Sequence, residues 1–234
     1  MRDHLLKAAA LATLAVATLP MALTTKALAD DAMTFSVTIR NVSTSTTLVL
    51  PDGKTTSAPI AAGLYAVVRG DTKLFTLGRG ADRYLESLAE DGDASALLAA
   101  VKKMDGVVAA DMFAPGLPLT IKAEPGDRLA FASMFVQSND KFFAPDPTGI
   151  DLFEGQDPVA GDLTSKIVLW DAGTEKDEVP GMGPNQAPRQ SGSNTGSDEG
   201  GVVRSEDDEF AYPAVVEVIQ LTILPQEAKS KSGS

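Results

Sequence analysis

The chain contains no cysteine, and its single histidine, His4, lies at the extreme N-terminus. Without cysteine there are no disulfides and no thiolate chemistry, so stability has to come from a packed core. Without a further histidine, the body of the chain has no Ser-His-Asp triad, no imidazole acid–base pair and no ordinary zinc site. Aromatic residues make up only 6%, with one tryptophan, which argues against an aromatic-lined sugar cleft. Basic residues are scarce too: 20 Lys and Arg face 32 Asp and Glu, for a formal charge of −12. Such a surface repels phosphate backbones and anionic lipids, so nucleic acid is not an expected partner. What remains open is carboxylate chemistry, Lys or Tyr chemistry, and the binding of hard cations.

The N-terminus reads as a secretory signal peptide over residues 1–29. Arg2, His4 and Lys7 form a positive region, Ala8 to Ala22 is a short apolar run, and Ala27-Leu28-Ala29 is an A-x-A cleavage site. Removing this segment makes the remainder still more acidic. No later segment is apolar for long enough to span a bilayer, so no membrane span is expected after cleavage. The product is therefore expected to be exported, to the periplasm or the extracellular space.

The body, residues 30–225, has the period-2 pattern of an all-β domain. In MTFSVTIRNV, Phe35, Val37 and Ile39 share one face, with Thr34, Ser36, Thr38 and Arg40 on the other. GLYAVVRG, PLTIKAE and DRLAFASMFVQ continue the β character, and the last is apolar on both faces, as a central strand is. AVVEVIQLTIL is the longest β-rich run, expected to lie beside the first strand. Two helical segments interrupt this pattern. DRYLESLAEDG puts Tyr84, Leu85 and Leu88 on one face and stops at Gly92; ASALLAAVKKMDG repeats the pattern with Leu97, Leu98 and Val101, with Asp93 as its N-cap. They are expected to cover an edge or end of the sheet. From Ala172 to Pro213 periodicity fades into an acidic Gly, Pro and Ser-rich loop, whose composition predicts a solvated excursion over residues 191–208. Residues 226–234 form a polar tail.

One strand ends abruptly in acids. SKIVLWDAGTEKDE runs from apolar residues into Asp171 and Glu175, four apart around Gly173, followed by Asp177 and Glu178. A glycine-centred loop can turn both carboxylates to one spot, and Ca²⁺ takes six to eight oxygen ligands at ~2.3–2.6 Å. A third acid has to come from another strand end: Asp140, in MFVQSNDKFFAP, with Asp146 and Asp151 as weaker candidates. Spacing alone leaves three readings of these acids, namely a turn cap with solvated neighbours, a metal site, and a catalytic pair. Phe142 and Phe143 beside Asp140 read as packing residues. Asp91-Gly92-Asp93 is not a calcium loop, because its sixth and twelfth positions are Ala96 and Lys102 rather than Gly and Glu.

FSVTIRNVS, LFTLGRGADRYLESLAEDG, FASMFVQSNDKFFAP, LWDAGTE, GPNQAPRQSGSNTG and FAYPAVVEVIQLTIL follow one another in an order that resembles the spondin N-terminal domain. The resemblance covers roughly residues 34 to 224. It is to a module of the F-spondin and mindin type, which also occurs in bacterial exported proteins. It implies a C2-like antiparallel β-sandwich with a short two-helix insert, holding Ca²⁺ at one loop end. The animal motif S-P-D-W places its aspartate on Asp140, and W-D-A-G-T-D places its acids on Asp171 and Glu175. The implied metal ligands are thus Asp140, Asp171 and Glu175. Glu175 stands where the motif has Asp, and Asn139 and Lys141 replace the Pro and Trp around Asp140, which brings a positive charge to the proposed cation site.

The expected function is that of an exported, non-enzymatic, calcium-binding recognition or adhesion-type module with a protein or cell-surface ligand. The alternative is a carboxylate-dependent hydrolase acting on glycans, with Asp171 or Glu175 as acid and Asp140 as base. Intact-mass measurement of the exported protein is expected to place its first residue at Asp30; a start upstream of Lys26 contradicts the A-x-A reading.

Overall fold

The computed structural model describes residues 32–206 and 208–226. The expected signal peptide and nearly all of the polar tail lie outside the described residues. The described body is mostly β and antiparallel. Its long strands are β1 (Met33–Asn41), β2 (Gly63–Val68), β3 (Val107–Phe113), β4 (Leu119–Ala123), β5 (Arg128–Met134), β6 (Lys141–Pro145), β7 (Ile167–Asp171) and β8 (Ile219–Gln226).

One sheet runs in the order Gly161–Asp162, β8, β1, β4. The expected neighbour relation holds: β1 pairs with β8 from Thr34↔Gln226 to Asn41↔Ile219. The second sheet runs Arg204–Ser205, β7, β6, β5, β2, β3, with Ile150–Asp151 also paired to β5. Phe35, Val37 and Ile39 from the first sheet meet Leu129, Phe131, Phe135 and Phe143 from the second, forming the core between them. Each such buried side chain contributes about 1.5–3 kcal/mol through the apolar area withdrawn from water.

The strand apolar on both faces is β5, which lies between β2 and β6. Its two faces differ in size. Leu129 and Phe131 point into the sandwich, whereas Ala130 and Ala132 belong to a second core with Ala66, Ala144 and the two helices. The small side chains let helices α1 (Arg83–Asp91) and α2 (Ser95–Val101) lie on the face of the sheet through Leu85, Leu88, Leu97 and Val101. The insert therefore forms a third layer over the sheet face, not a cover for its edge or end.

Local signals set the helix ends. The Asp82 carboxylate accepts from the Tyr84 and Leu85 amides, and Gly92 closes α1 with φ of 71°, a conformation a side chain disfavours. Asp93 accepts from Ser95 N at 2.9 Å, but Ala94 is the residue at the boundary of α2, so the cap sits one residue outside the expected position. The expected run AVVEVIQLTIL is not one strand. It opens with a single helical turn, α3 (Val215–Val218), because the Glu217 carboxylate reaches back to accept from Ala214 N at 3.1 Å.

The alanines of β5 under the helices make a size limit measurable. Ala132→Leu is expected to lower unfolding free energy by about 1–3 kcal/mol through overpacking, read from denaturant melts. Leu224→Ala, at a side chain 51% exposed, is expected to stay within about 0.5 kcal/mol of wild type.

Candidate metal centre

Antiparallel pairing brings the start of β6 to the end of β7. The register sets Asp171 directly opposite Lys141 on one side and opposite Arg204 on the other. Residues directly opposite in a sheet share a face. The result is a cation–anion–cation row across three strands: Lys141 Nζ lies 3.1 Å from Asp171 Oδ2, and Arg204 Nη2 lies 2.6 Å from the same oxygen. Trp170 anchors the row from within the core by donating its indole N–H to the carbonyl of Ala144 at 3.1 Å.

Lys141 has no solvent exposure, and acids surround it. Its ammonium lies 2.7 Å from Asp177 Oδ1 and 3.2 Å from Asp208 Oδ2, and 5.5 Å from the centre of the Tyr212 ring. Burial works against the charged lysine, yet Asp171, Asp177 and Asp140 outweigh it and raise its pKa. Burial raises the Asp177 pKa, with Lys141 opposing. Tyr212 donates to Asp208 Oδ2 at 2.7 Å, and burial together with that bond raises the tyrosine.

Asp140 sits one residue before β6 and holds the opposite side of the centre. Its Oδ2 accepts from the backbone amides of Thr174 at 3.0 Å and Glu175 at 3.1 Å, binding the loop that leaves β7. Gly173 makes that loop possible: φ is 67°, and a Cβ there would meet Val202 N at 2.6 Å. Asp171 Oδ1 accepts from Gly173 N at 2.6 Å. The acidic loop folds back over this corner. Lys176 N donates to Ser197 O, Glu199 N to Thr174 O, and Gly201 N to Gly173 O. The expected solvated excursion is thus laid against the strand ends and paired with β7 through Arg204–Ser205.

Ligand atoms of Asp140, Asp171 and Asp177 lie within 4.8 Å of one another, a group able to hold a metal ion. Two of the three acids singled out from sequence, Asp140 and Asp171, belong to it, together with Asp177. Glu175 lies alongside: its amide binds Asp140, and its Oε1 accepts from Gly196 N at 2.7 Å. The weaker candidates stand elsewhere, Asp146 capping Thr148 and Asp151 pairing with Arg128, in the lining of a separate cavity. Sequence reasoning did not identify Asp177, Asp208 and Arg204 as members of the centre. Only the cross-strand register could have found Arg204, since 33 residues separate it from Asp171 in an aperiodic loop.

The donor set fits a hard cation at one end of the group. On the Asp171 side Lys141 and Arg204 already supply positive charge. On the other side, Asp140 Oδ1 and Glu175 Oε2 are buried with no hydrogen-bond partner. Burial and the charge of Asp171 raise the Asp140 pKa, and burial raises that of Glu175. An oxygen-binding cation relieves both penalties. Comparison with protein-family models and with curated proteins returned no match.

Lys141 is the residue whose loss leaves buried acids without a counter-ion. Lys141→Met is expected to destabilise the fold by about 3–5 kcal/mol in chelator, as breaking a buried pair does, read from urea melts at neutral pH.

Proposed function

We propose that this chain is a non-enzymatic, calcium-binding recognition module that works after export. The observation that carries the reading is the buried carboxylate group at the sandwich end, with the Asp140 and Glu175 oxygens unpartnered. Calcium suits this donor set better than magnesium, because the oxygens sit in a loop corner able to adjust. Magnesium demands a near-ideal octahedron and gives up its waters reluctantly. Asp140 and Glu175 are the proposed ligands with free oxygens, and Asp171 is held at the shared border with Lys141. The cation's role is to neutralise acids that otherwise repel one another, and so to set the loops after β7 as a recognition surface. The sequence resemblance to the spondin N-terminal domain supports the same reading, including a protein or cell-surface ligand. A hydrolytic role has no comparable support: Asp140, Asp171 and Glu175 are all buried away from solvent.

Calcium is expected to raise the melting temperature, with about 2.7 kcal/mol of stabilisation at a hundredfold excess over its dissociation constant. Asp140→Asn is the cleanest variant, since it leaves the Lys141–Asp171–Arg204 row intact, and it is expected to remove most of the rise. Asp157→Asn, at an exposed hairpin residue, is expected to keep it. A wild-type melting curve unmoved by millimolar calcium would refute the proposal.

A further inference from the structure

Five buried side-chain nitrogen or oxygen atoms among the described residues have no hydrogen-bond partner: Glu90 Oε2, Arg128 Nε, Asp140 Oδ1, Glu175 Oε2 and Thr195 Oγ1. Four of the five are oxygens, and these four belong to one neighbourhood. Asp140 binds the Thr174 and Glu175 amides, and Glu175 accepts from the amide of Gly196, the residue after Thr195. Glu90 reaches the same place from the helical layer. Its neighbour Ala89 shares a buried cluster with Ala172, at the start of the loop leaving β7, and the charges of Glu175 and Asp140 add to the upward shift of its pKa. Glu90 is 2% exposed, and burial pushes its pKa up to about 8. Leaving one such oxygen unpaired inside a protein is costly, and natural structures seldom do so without a function or a missing partner. Four unpartnered oxygens around one corner are the kind of donor that an oxygen-binding cation takes.

We infer that Glu90 is a further ligand of the cation proposed at Asp140 and Glu175, and that the Thr195 hydroxyl completes the protein's side of the site. The cation then joins three separate parts of the chain: the strand ends, helix α1 and the acidic loop. This rests on the calcium reading above and adds a ligand to which neither the strand-end spacing nor the motif resemblance points. The loop is already strapped to α1 on both sides of Glu90, by Asn194 Nδ2 to Glu86 at 3.2 Å and Gln190 Nε2 to Asp91 at 2.9 Å. These straps hold Thr195 and Gly196 over the helix, so the loop needs no large movement to close the site. Glu90 and Glu175 stand outside the 4.8 Å group of Asp140, Asp171 and Asp177. Cation uptake therefore draws their carboxylates inward by side-chain rotation. A cavity of about 370 Å³, lined by Gly173, Thr174, Asn194 and Gly201 among others, opens beside the corner.

The test uses the exported chain, with calcium alone as the probe, in titration calorimetry and in thermal melts with and without chelator. Glu90→Gln keeps the shape and removes the charge, and is expected to weaken calcium binding roughly tenfold or more, the scale on which metal sites respond to altered coordination. In chelator the same variant is expected to melt no lower than wild type, because it removes a buried acid; a residue with only a packing role would lower that melt and leave affinity alone. Thr195→Val gives a second reading from the loop side, expected to weaken binding less. Glu154→Gln, exposed and remote, is expected to match wild type in both measurements. Calcium is expected to protect residues 191–201 from protease in wild type and not in Glu90→Gln. Wild-type affinity in Glu90→Gln overturns the role of Glu90 and leaves the calcium reading standing. No calcium heat and no melting shift in wild type overturns both.

Discussion

The described fold turns on a single row of charges, Lys141–Asp171–Arg204, running across three strands. A lysine ammonium with no solvent access is expensive to bury, and a buried ion pair is seldom a net source of stability over a well-packed apolar substitute. Its value here is in specification. Slipping β6 against β7 by one residue would turn Lys141 to the opposite face and leave Asp171, Asp177 and Asp208 without their counter-ion. The row therefore holds the register that places Asp140, one residue earlier, against the loop leaving β7.

Around that row the charges divide. On one side, Asp171, Asp177 and Asp208 are answered by Lys141 and Arg204, with Tyr212 donating to Asp208 and Glu199 paired to Arg204 at 3.0 Å. On the other, Asp140, Glu175 and Glu90 have oxygens that nothing in the described chain satisfies. The division separates two tasks that one acidic cluster would otherwise confuse. The lysine side keeps the sandwich end assembled without any ion, and the open side is left free for the proposed cation. A positive side chain next to a proposed calcium site looks adverse in sequence; in three dimensions it is aimed at the neighbouring acids.

The helical layer takes part in the same corner. Alanines on the outer face of β5 and on the strands beside it let α1 pack close to the start of the loop leaving β7, where its Ala89 shares a buried cluster with Ala172. The acidic loop is held to that helix by polar bonds and carries few buried apolar residues, Val203 among them. Segments fastened in this way open at lower free energy than the core strands. A loop of that kind, fixed by a cation, suits a surface that adjusts to a partner.

Much of this architecture was legible from local patterns. Period-2 alternation in β1, the two-sided apolar run of β5, and the helix stop at Gly92 are properties of neighbouring residues, so the chain carries them wherever it folds. Asp140 and Asp171 were legible for the same reason, as acids directly at strand ends. The helical turn at Val215 was missed because a returning bond from Glu217 outweighed the β propensity of its valines. The partnership of Lys141 with Asp171, the inclusion of Asp177, Asp208 and Arg204, and the arrival of Glu90 from another layer were decided only by tertiary structure. Each depends on which strands pair and in what register, and on which helix lies over them. Those choices are made by burying the whole set of apolar faces at once, and no local spacing in the chain encodes them.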